Sequence, residues 1–169
     1  MMKNISLRLA KADELQTVFL LYRSSVGREG CAWDDVYPGY REVEQDFAGQ
    51  NLYVLVHGSH IMGAVSVVDP PELADEDIWY CQSYAEIARV VVDASVSGQG
   101  YASFMLHELF EILKVQGIKS IRLSVSLGNP AALRLYQKLG FRFLKRKELY
   151  GGEYFLCEKI LSSKIARQT

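Results

Sequence analysis

Arg89-Val90-Val91-Val92-Asp93-Ala94-Ser95-Val96-Ser97-Gly98-Gln99-Gly100-Tyr101-Ala102 and, further on, Asn129-Pro130-Ala131-Ala132-Leu133-Arg134-Leu135-Tyr136-Gln137-Lys138-Leu139-Gly140-Phe141 decide how this chain of 169 residues is read. In the first stretch a β-branched run ends in a Gly-rich turn that opens onto an apolar helical segment. Such a turn leaves free backbone N–H groups at a helix N-terminus, which is a ready anion site. The second stretch reads as a short helix marked at both ends. Asn129 suits the N-cap, Pro130 the first helical position and Gly140 the residue past the end. Asn129 and Tyr136 are separated by two helical turns, so an amide and a phenol lie on nearly one face, roughly 10 Å apart along the axis. A phosphate cradle beside such a face suits a long phosphorylated cofactor.

Outward from these stretches, Ile5, Leu7 and Leu9 alternate with polar residues and predict a first strand. Residues 12–24 are helical in pattern, with Leu15, Val18, Phe19 and Tyr22 on one face. A loop runs from Gly27 to Gly39 and a second helix covers 40–48. Leu52–Val56 and Ile61–Val68 read as strands joined at His57-Gly58-Ser59-His60, and Pro70 and Pro71 end the second of them. An acidic loop with Glu72, Asp75, Glu76 and Asp77 leads to a strand over 84–92. The long helix after the Gly-rich turn runs from Gly98 to Val115, with Gly117 ending it. Ile118–Val125 is a strand, 130–139 the capped helix, and 141–149 and 153–161 two strands around Gly151-Gly152. This order predicts one α+β (α/β) domain over 1–169, with a mixed, mostly antiparallel sheet of about seven strands flanked by about four helices. The last few residues are expected to fray.

Composition excludes several classes. Hydrophobic residues make up 49% and charged residues 23%, as in an ordinary globular domain, and the net charge is −1. That charge gives no general pull toward nucleic acid or a membrane surface, and the expectation is that neither is a partner. Cys31, Cys81 and Cys157 are odd in number and far apart, which suggests neither a disulfide framework nor a zinc site. No metal is expected, and a reducing cytoplasmic setting fits best. Arg8, Lys11, Asp13 and Glu14 interrupt the N-terminus too early for a signal peptide. No apolar run approaches membrane-spanning length.

The two opening stretches resemble the GNAT superfamily, the acetyl-CoA-dependent N-acetyltransferases. That family's pyrophosphate loop, (Arg/Gln)-x-x-Gly-x-(Gly/Ala), is met at Gly100 and Ala102, with Gly98 also typical. Its later segment, Asn-x-x-Ala-x-x-x-Tyr-x-x-x-Gly-Phe, is met by Asn129, Ala132, Tyr136, Gly140 and Phe141. Two positions depart: Ser97 stands where Arg or Gln is usual, and Ala94 where Pro is common. The resemblance implies a GNAT-like acyl-CoA N-acyltransferase fold and an acyltransferase that moves the acetyl group of acetyl-CoA to a primary amine of a small molecule by direct attack. It places the pantetheine along strand 84–92, with backbone bonds at Val90 and Val92. The pyrophosphate falls on the N–H groups of Ser97, Gly98, Gln99, Gly100, Tyr101 and Ala102, and Asn129 holds the coenzyme arm. Tyr136 becomes the acid that protonates the leaving thiolate.

Each assignment has a plainer competitor. A dinucleotide site would need Gly or Ala at 103, where Ser stands, and an acidic residue about 20 positions on, where Lys119, Ser120 and Ile121 stand. The glycines could also make no more than a tight turn. Tyr136 could be a core residue and Asn129 a plain N-cap. Glu86, read as sharing a strand face with Ala88, Val90 and Val92, is a candidate base whose pKa burial would raise; otherwise it is an exposed carboxylate paired with Arg89. Trp33, Asp34 and Tyr37, beside Asp35, are candidate contacts for a cationic amine, or a surface loop with Trp33 plugging the core. The acidic loop 72–77 reads as solvated, or else as a screen or attractor for a basic acceptor. Lys145-Arg146-Lys147 is too short a basic run to argue for nucleic acid. A non-catalytic acyl-CoA sensor and an enzyme acting on a protein N-terminus remain alternatives, and a homodimer stays open.

Overall fold

The computed structural model describes residues 2–161, and the expected fraying of the last residues falls outside them. Seven strands form one sheet: β1 Ile5–Leu9, β2 Leu52–His57, β3 His60–Val67, β4 Tyr84–Val92, β5 Ser120–Ser126, β6 Arg142–Leu149 and β7 Gly152–Ile160. Their spatial order is β1-β2-β3-β4-β5-β7-β6. Every neighbouring pair is antiparallel except β4 and β5, which run parallel. Four α-helices accompany them: α1 Leu15–Ser25, α2 Tyr40–Ala48, α3 Tyr101–Val115 and α4 Pro130–Lys138. The mixed, mostly antiparallel sheet read from the sequence is therefore the observed one.

The helices divide between two apolar clusters. One gathers Met105, Leu106, Leu109, Phe110 and Leu113 of α3 and Tyr136 of α4 with Ala85, Ile87, Ile121 and Leu123 of the sheet. The other gathers Leu15, Val18, Leu21 and Tyr22 of α1 and Val43 of α2 with Val54, Val56, Ala64 and Val91. The α3 positions recur at helical spacing, so one stripe faces the sheet. Fully burying one such side chain stabilises by about 1.5–3 kcal/mol.

Boundaries moved where local chemistry overrides periodicity. The helix expected from Gly98 begins at Tyr101, because Gly98 (φ +75°) and Gly100 (φ +86°) hold left-handed conformations that a helix cannot contain. The first helix opens as a 3-10 turn over Ala12–Glu14. Asn129 caps α4 as expected, its Oδ1 accepting the Ala132 N–H at 3.1 Å, with Pro130 in the first turn.

The acidic loop keeps Glu72, Asp75 and Asp77 exposed, as expected, but is anchored by Leu73 and Trp79. Trp79 and Leu73 form a small cluster with Leu156, and Trp79 Nε1 donates to the Leu73 carbonyl at 3.0 Å. Arg122, 1% exposed, stacks on the Tyr84 and Trp79 rings and donates to the Cys81 carbonyl at 2.6 Å. Glu158 accepts the Tyr80 and Cys81 N–H groups. Glu76 pairs with Lys145 at 3.2 Å and also with Lys147, so one carboxylate of the loop serves two cations of the short basic run. Apart from the Trp79–Leu73 bond these hydrogen-bonded and ion-paired partners lie 41 or more positions apart, so the anchoring could not be read locally.

Candidate active site

The site begins where two parallel strands part. β4 and β5 pair from Tyr84↔Ser120 to Glu86↔Arg122 and no further, although β4 runs on to Val92 and β5 to Ser126. β5 is held away by its partnership with β7, which continues to Ser126↔Tyr154. A wedge opens between the strands. On the β4 side of it the backbone is unpaired. The Asp93 N–H donates to the Met62 carbonyl of β3 at 2.7 Å. Backbone groups alternate along an antiparallel strand, so Val91 also faces β3, and Val90 and Val92 turn their N–H and C=O into the wedge.

A β-bulge sets this phase. Ser66 opposes Ala88 while Ala64 opposes Val91, so three steps along β4 match two along β3. Arg89 is the extra residue, with φ +53°. The single-face reading of Glu86, Ala88, Val90 and Val92 therefore fails beyond Ala88. Val90 and Val92 pack toward the α3 and α4 cluster, while Arg89 and Val91 face α1 and α2. Periodicity alone cannot register an inserted residue that reverses the faces.

The mouth of the wedge carries the Gly-rich turn. Asp93 caps a 3-10 turn over Ala94–Val96, accepting the Ser95 N–H at 2.9 Å, and the Ser97 N–H returns to the Ala94 carbonyl at 3.2 Å. After that the backbone N–H groups of Gly98 to Ser103 find no acceptor among the described residues, the first helical bond being Phe104 N–H to the Gly100 carbonyl at 3.0 Å. A Cβ added at Gly98 would meet nothing within 4 Å, so the turn stands open. Six consecutive N–H groups without an acceptor among the described residues thus stand at the positive end of α3, an arrangement that suits an anion.

Tyr136 lies on the same side of the sheet, 7% exposed, its ring edge-on to Phe141 at 5.4 Å. Burial, with the Cys157 thiol nearby, pushes the phenol pKa above its usual range. Its hydroxyl makes no hydrogen bond with any described residue. Asn129 spends Oδ1 on its helix cap. A Cβ at Gly30 would fall 3.1 Å from that oxygen, so the α1–α2 loop reaches across to the start of α4.

The opposite face holds a second set of groups. Glu86 is 4% exposed, and its two oxygens accept the N–H groups of Glu72 at 3.2 Å and Leu73 at 2.9 Å. Burial raises its pKa above the usual carboxylate value despite those bonds. The exposed Glu86–Arg89 pairing does not form. Arg89 instead pairs with Asp46, Nε to Oδ2 and Nη2 to Oδ1 both at 2.8 Å, and its Nη1 donates to the Tyr37 hydroxyl at 2.9 Å. The Tyr150 hydroxyl donates to Glu72 at 2.6 Å. Tyr150 is within electrostatic reach of Tyr37 and Glu86, and Tyr154 of Tyr37.

Of the three loop candidates only Tyr37 joins this set. Trp33 packs edge-on against Tyr22 at 5.3 Å, which makes it part of the core. Asp34 Oδ1 accepts the N–H groups of Val36 and Tyr37 at 2.8 and 2.7 Å and so shapes its own loop. The sequence did not bring Asp46, Tyr150 and Tyr154 to this cluster, and it read Glu72 only within the acidic loop and Arg89 only as a partner for Glu86. The one local signal was Arg89 itself, a charge inside a β-branched run.

Residues 16–141 match the acetyltransferase (GNAT) family, and the chain belongs to it. Mycothiol acetyltransferase of Brachybacterium faecium is 30% identical over 96 residues, which are 56% of this chain and 27% of that protein. The chain thus spans well under half the length of that relative. A GNAT-family acetyltransferase from Streptococcus agalactiae 2603 shares the fold with a TM-score of 0.81 at 20% identity, over 96% of this chain and 99% of that one. YncA from Salmonella typhimurium, solved with its cofactor acetyl-CoA, gives 0.73 at 18% identity over 97% and 98%. The chain has the fold of that family. No helix among the described residues is long and apolar enough to cross a membrane.

Proposed function

We propose that this enzyme transfers the acetyl group of acetyl-CoA to a primary amine of a small cationic molecule by direct attack. The observation that carries the reading is the wedge between β4 and β5 with the anion nest at its mouth. The nest from Gly98 to Ser103 suits the pyrophosphate, and the Val90 and Val92 backbone suits the pantetheine amides. Ser97 and Asn129 stand at its margins. The Val90 N–H would hydrogen-bond the thioester carbonyl as charge builds on its oxygen. The amine enters from the α1 and α2 face, so the two substrates meet through the sheet. Holding them in line can supply about 7–11 kcal/mol of the barrier. Tyr136 protonates the departing thiolate.

On the amine side Tyr37, Tyr150 and Tyr154 supply aromatic surface, and Glu72 and Glu86 supply carboxylates, which together suit a cation. Trp33 and Asp34 act there by shaping the loop that carries Tyr37. A CoA-release assay across polyamines, aminoglycosides, amino acids and peptides tests the reading. Turnover should be highest with small polycations. Release confined to peptides would move the acceptor to a protein N-terminus. Tight CoA binding with no release on any amine would refute the reaction.

Glu86 takes the proton of the ammonium through water. Its raised pKa suits a base, and it sits on the amine side of the sheet. Glu86→Gln should lower kcat/KM by about tenfold or more near pH 7 and flatten its acid limb, while one loop bond survives on the amide oxygen. The raised pKa has a stability consequence. The contribution of Glu86 is complete below its usual value of 4.5 and is lost as pH climbs through the higher folded value. Relative to Glu86→Gln, the wild-type melting temperature should therefore fall between acid and neutral pH. Parallel melting curves with no such divergence would show that Glu86 does not titrate as stated.

Ser97 lies exposed at the nest and offers one hydroxyl where a guanidinium would offer charge and a fork of donors. Ser97→Arg should tighten CoA by about 0.5–2 kcal/mol on titration calorimetry, through charge-assisted hydrogen bonds. Unchanged affinity would mean that the pyrophosphate lies elsewhere or already has its cation.

A further inference from the structure

We infer that Arg89 is a positioning residue, whose ion pair with Asp46 holds the β4 bulge in the phase that aims the Val90 N–H into the wedge. This rests on the reading of the wedge as the acetyl-CoA cleft. Arg89 has φ +53°, a conformation disfavoured for a residue with a Cβ, and its neighbours Ala88 and Val90 are not turn-forming residues. Something distant must hold it.

The side chain supplies that hold. Arg89 is 9% exposed and Asp46 is 8% exposed, and the guanidinium fork grips both carboxylate oxygens. Asp46 Oδ2 also accepts the Ser66 hydroxyl at 2.6 Å. Ser66 stands on β3 at the other side of the register shift. One carboxylate on α2 is therefore tied to the bulged residue and to the strand opposite it. Nη1 ties the same guanidinium to the Tyr37 hydroxyl, which belongs to the amine side. If the bulge relaxed into regular pairing, β4 beyond Arg89 would slip by one residue. Val91 would then face the wedge, and Val90 would face β3.

The variant pair Arg89→Met with Asp46→Leu tests this. Replacing a buried ion pair by apolar groups of similar volume often preserves stability, so the double variant should melt near the wild type. If the pair positions Val90, kcat should still fall by about tenfold or more, while KM for acetyl-CoA changes by less than about threefold. Arg89→Lys keeps the charge, loses the fork and is the milder change to the fold; it should lose several-fold in kcat. Wild-type kcat in either folded variant would overturn the inference and leave the pair as a clamp between α2 and β4.

A second readout needs no turnover. A thioether analogue of acetyl-CoA, with a ketone at the carbonyl position, should move the Val90 amide resonance of the wild type and also those of Gly98 and Gly100. In the double variant the Val90 shift should vanish and the glycine shifts persist. Glycine shifts without a Val90 shift in the wild type would refute the positioning of Val90 alone. No shift at any of the three would refute the cleft, and the inference with it.

Discussion

Gly100→Asp should weaken binding to CoA by roughly 30- to 1000-fold, about 2–4 kcal/mol, with the fold retained. Gly100 holds φ +86° immediately before α3, between free N–H groups on both sides. A Cβ there would meet only the Met2 Cε, at 3.8 Å, so space does not forbid it. The backbone and the charge act together. A left-handed non-Gly residue costs about 1–3 kcal/mol, and Asp bears this better than most because its short side chain can bond locally. The carboxylate then stands beside a pyrophosphate and competes for the N–H groups that would hold it. Gly100→Asn is the control, with the same shape and no charge. It should lose much less affinity, and the gap between the two variants should narrow as salt rises. Calorimetry on immobilisable or free CoA, with melting curves beside it, checks both. Wild-type affinity in a folded Gly100→Asp variant would remove the pyrophosphate from this turn.

Tyr136→Phe should lower kcat by about 100-fold, within the usual range for general acid catalysis, and leave acetyl-CoA affinity nearly unchanged. The ring keeps its packing against Phe141, and the lost hydroxyl has no hydrogen-bond partner among the described residues. Melting temperature should therefore hold or rise. Burial holds the phenol protonated well above its usual range, so Tyr136 should add no alkaline limb to the wild-type profile below about pH 10. A thiolate leaving group needs only modest help, because a thiol pKa is near 8.5. Loss should accordingly be smaller with an acyl-CoA analogue whose thiol is more acidic. Wild-type turnover in the Phe variant, at saturating acetyl-CoA and a good amine, would return Tyr136 to the core.

The sequence by itself determined the elements and the half of the site that is local. Apolar runs, turn residues and helix caps, with alternation in the first strand and helical spacing in the first helix, marked all seven strands and four helices, because these signals lie among near neighbours along the chain. The Gly98-Gln99-Gly100 turn and the Asn129, Pro130 and Gly140 caps were legible too, because left-handed backbone and helix ends are set by residue types within a few positions. The pairings on the side proposed for the amine were decided by tertiary structure, although Tyr37 and Glu86 were candidates in the sequence. Arg89 meets Asp46 across 43 positions and Tyr37 across 52, and Tyr150 meets Glu72 across 78. Which charge pairs with which depends on packing that no local pattern encodes. The face of Glu86 could be read from alternation, but the face of Val90 could not, because one inserted residue at Arg89 reverses the pleat. The inserted residue pairs with Asp46 of α2, which in turn accepts the Ser66 hydroxyl of β3, and neither partner is near it in sequence. The wedge is tertiary as well, since β5 leaves β4 where its pairing with β7 continues.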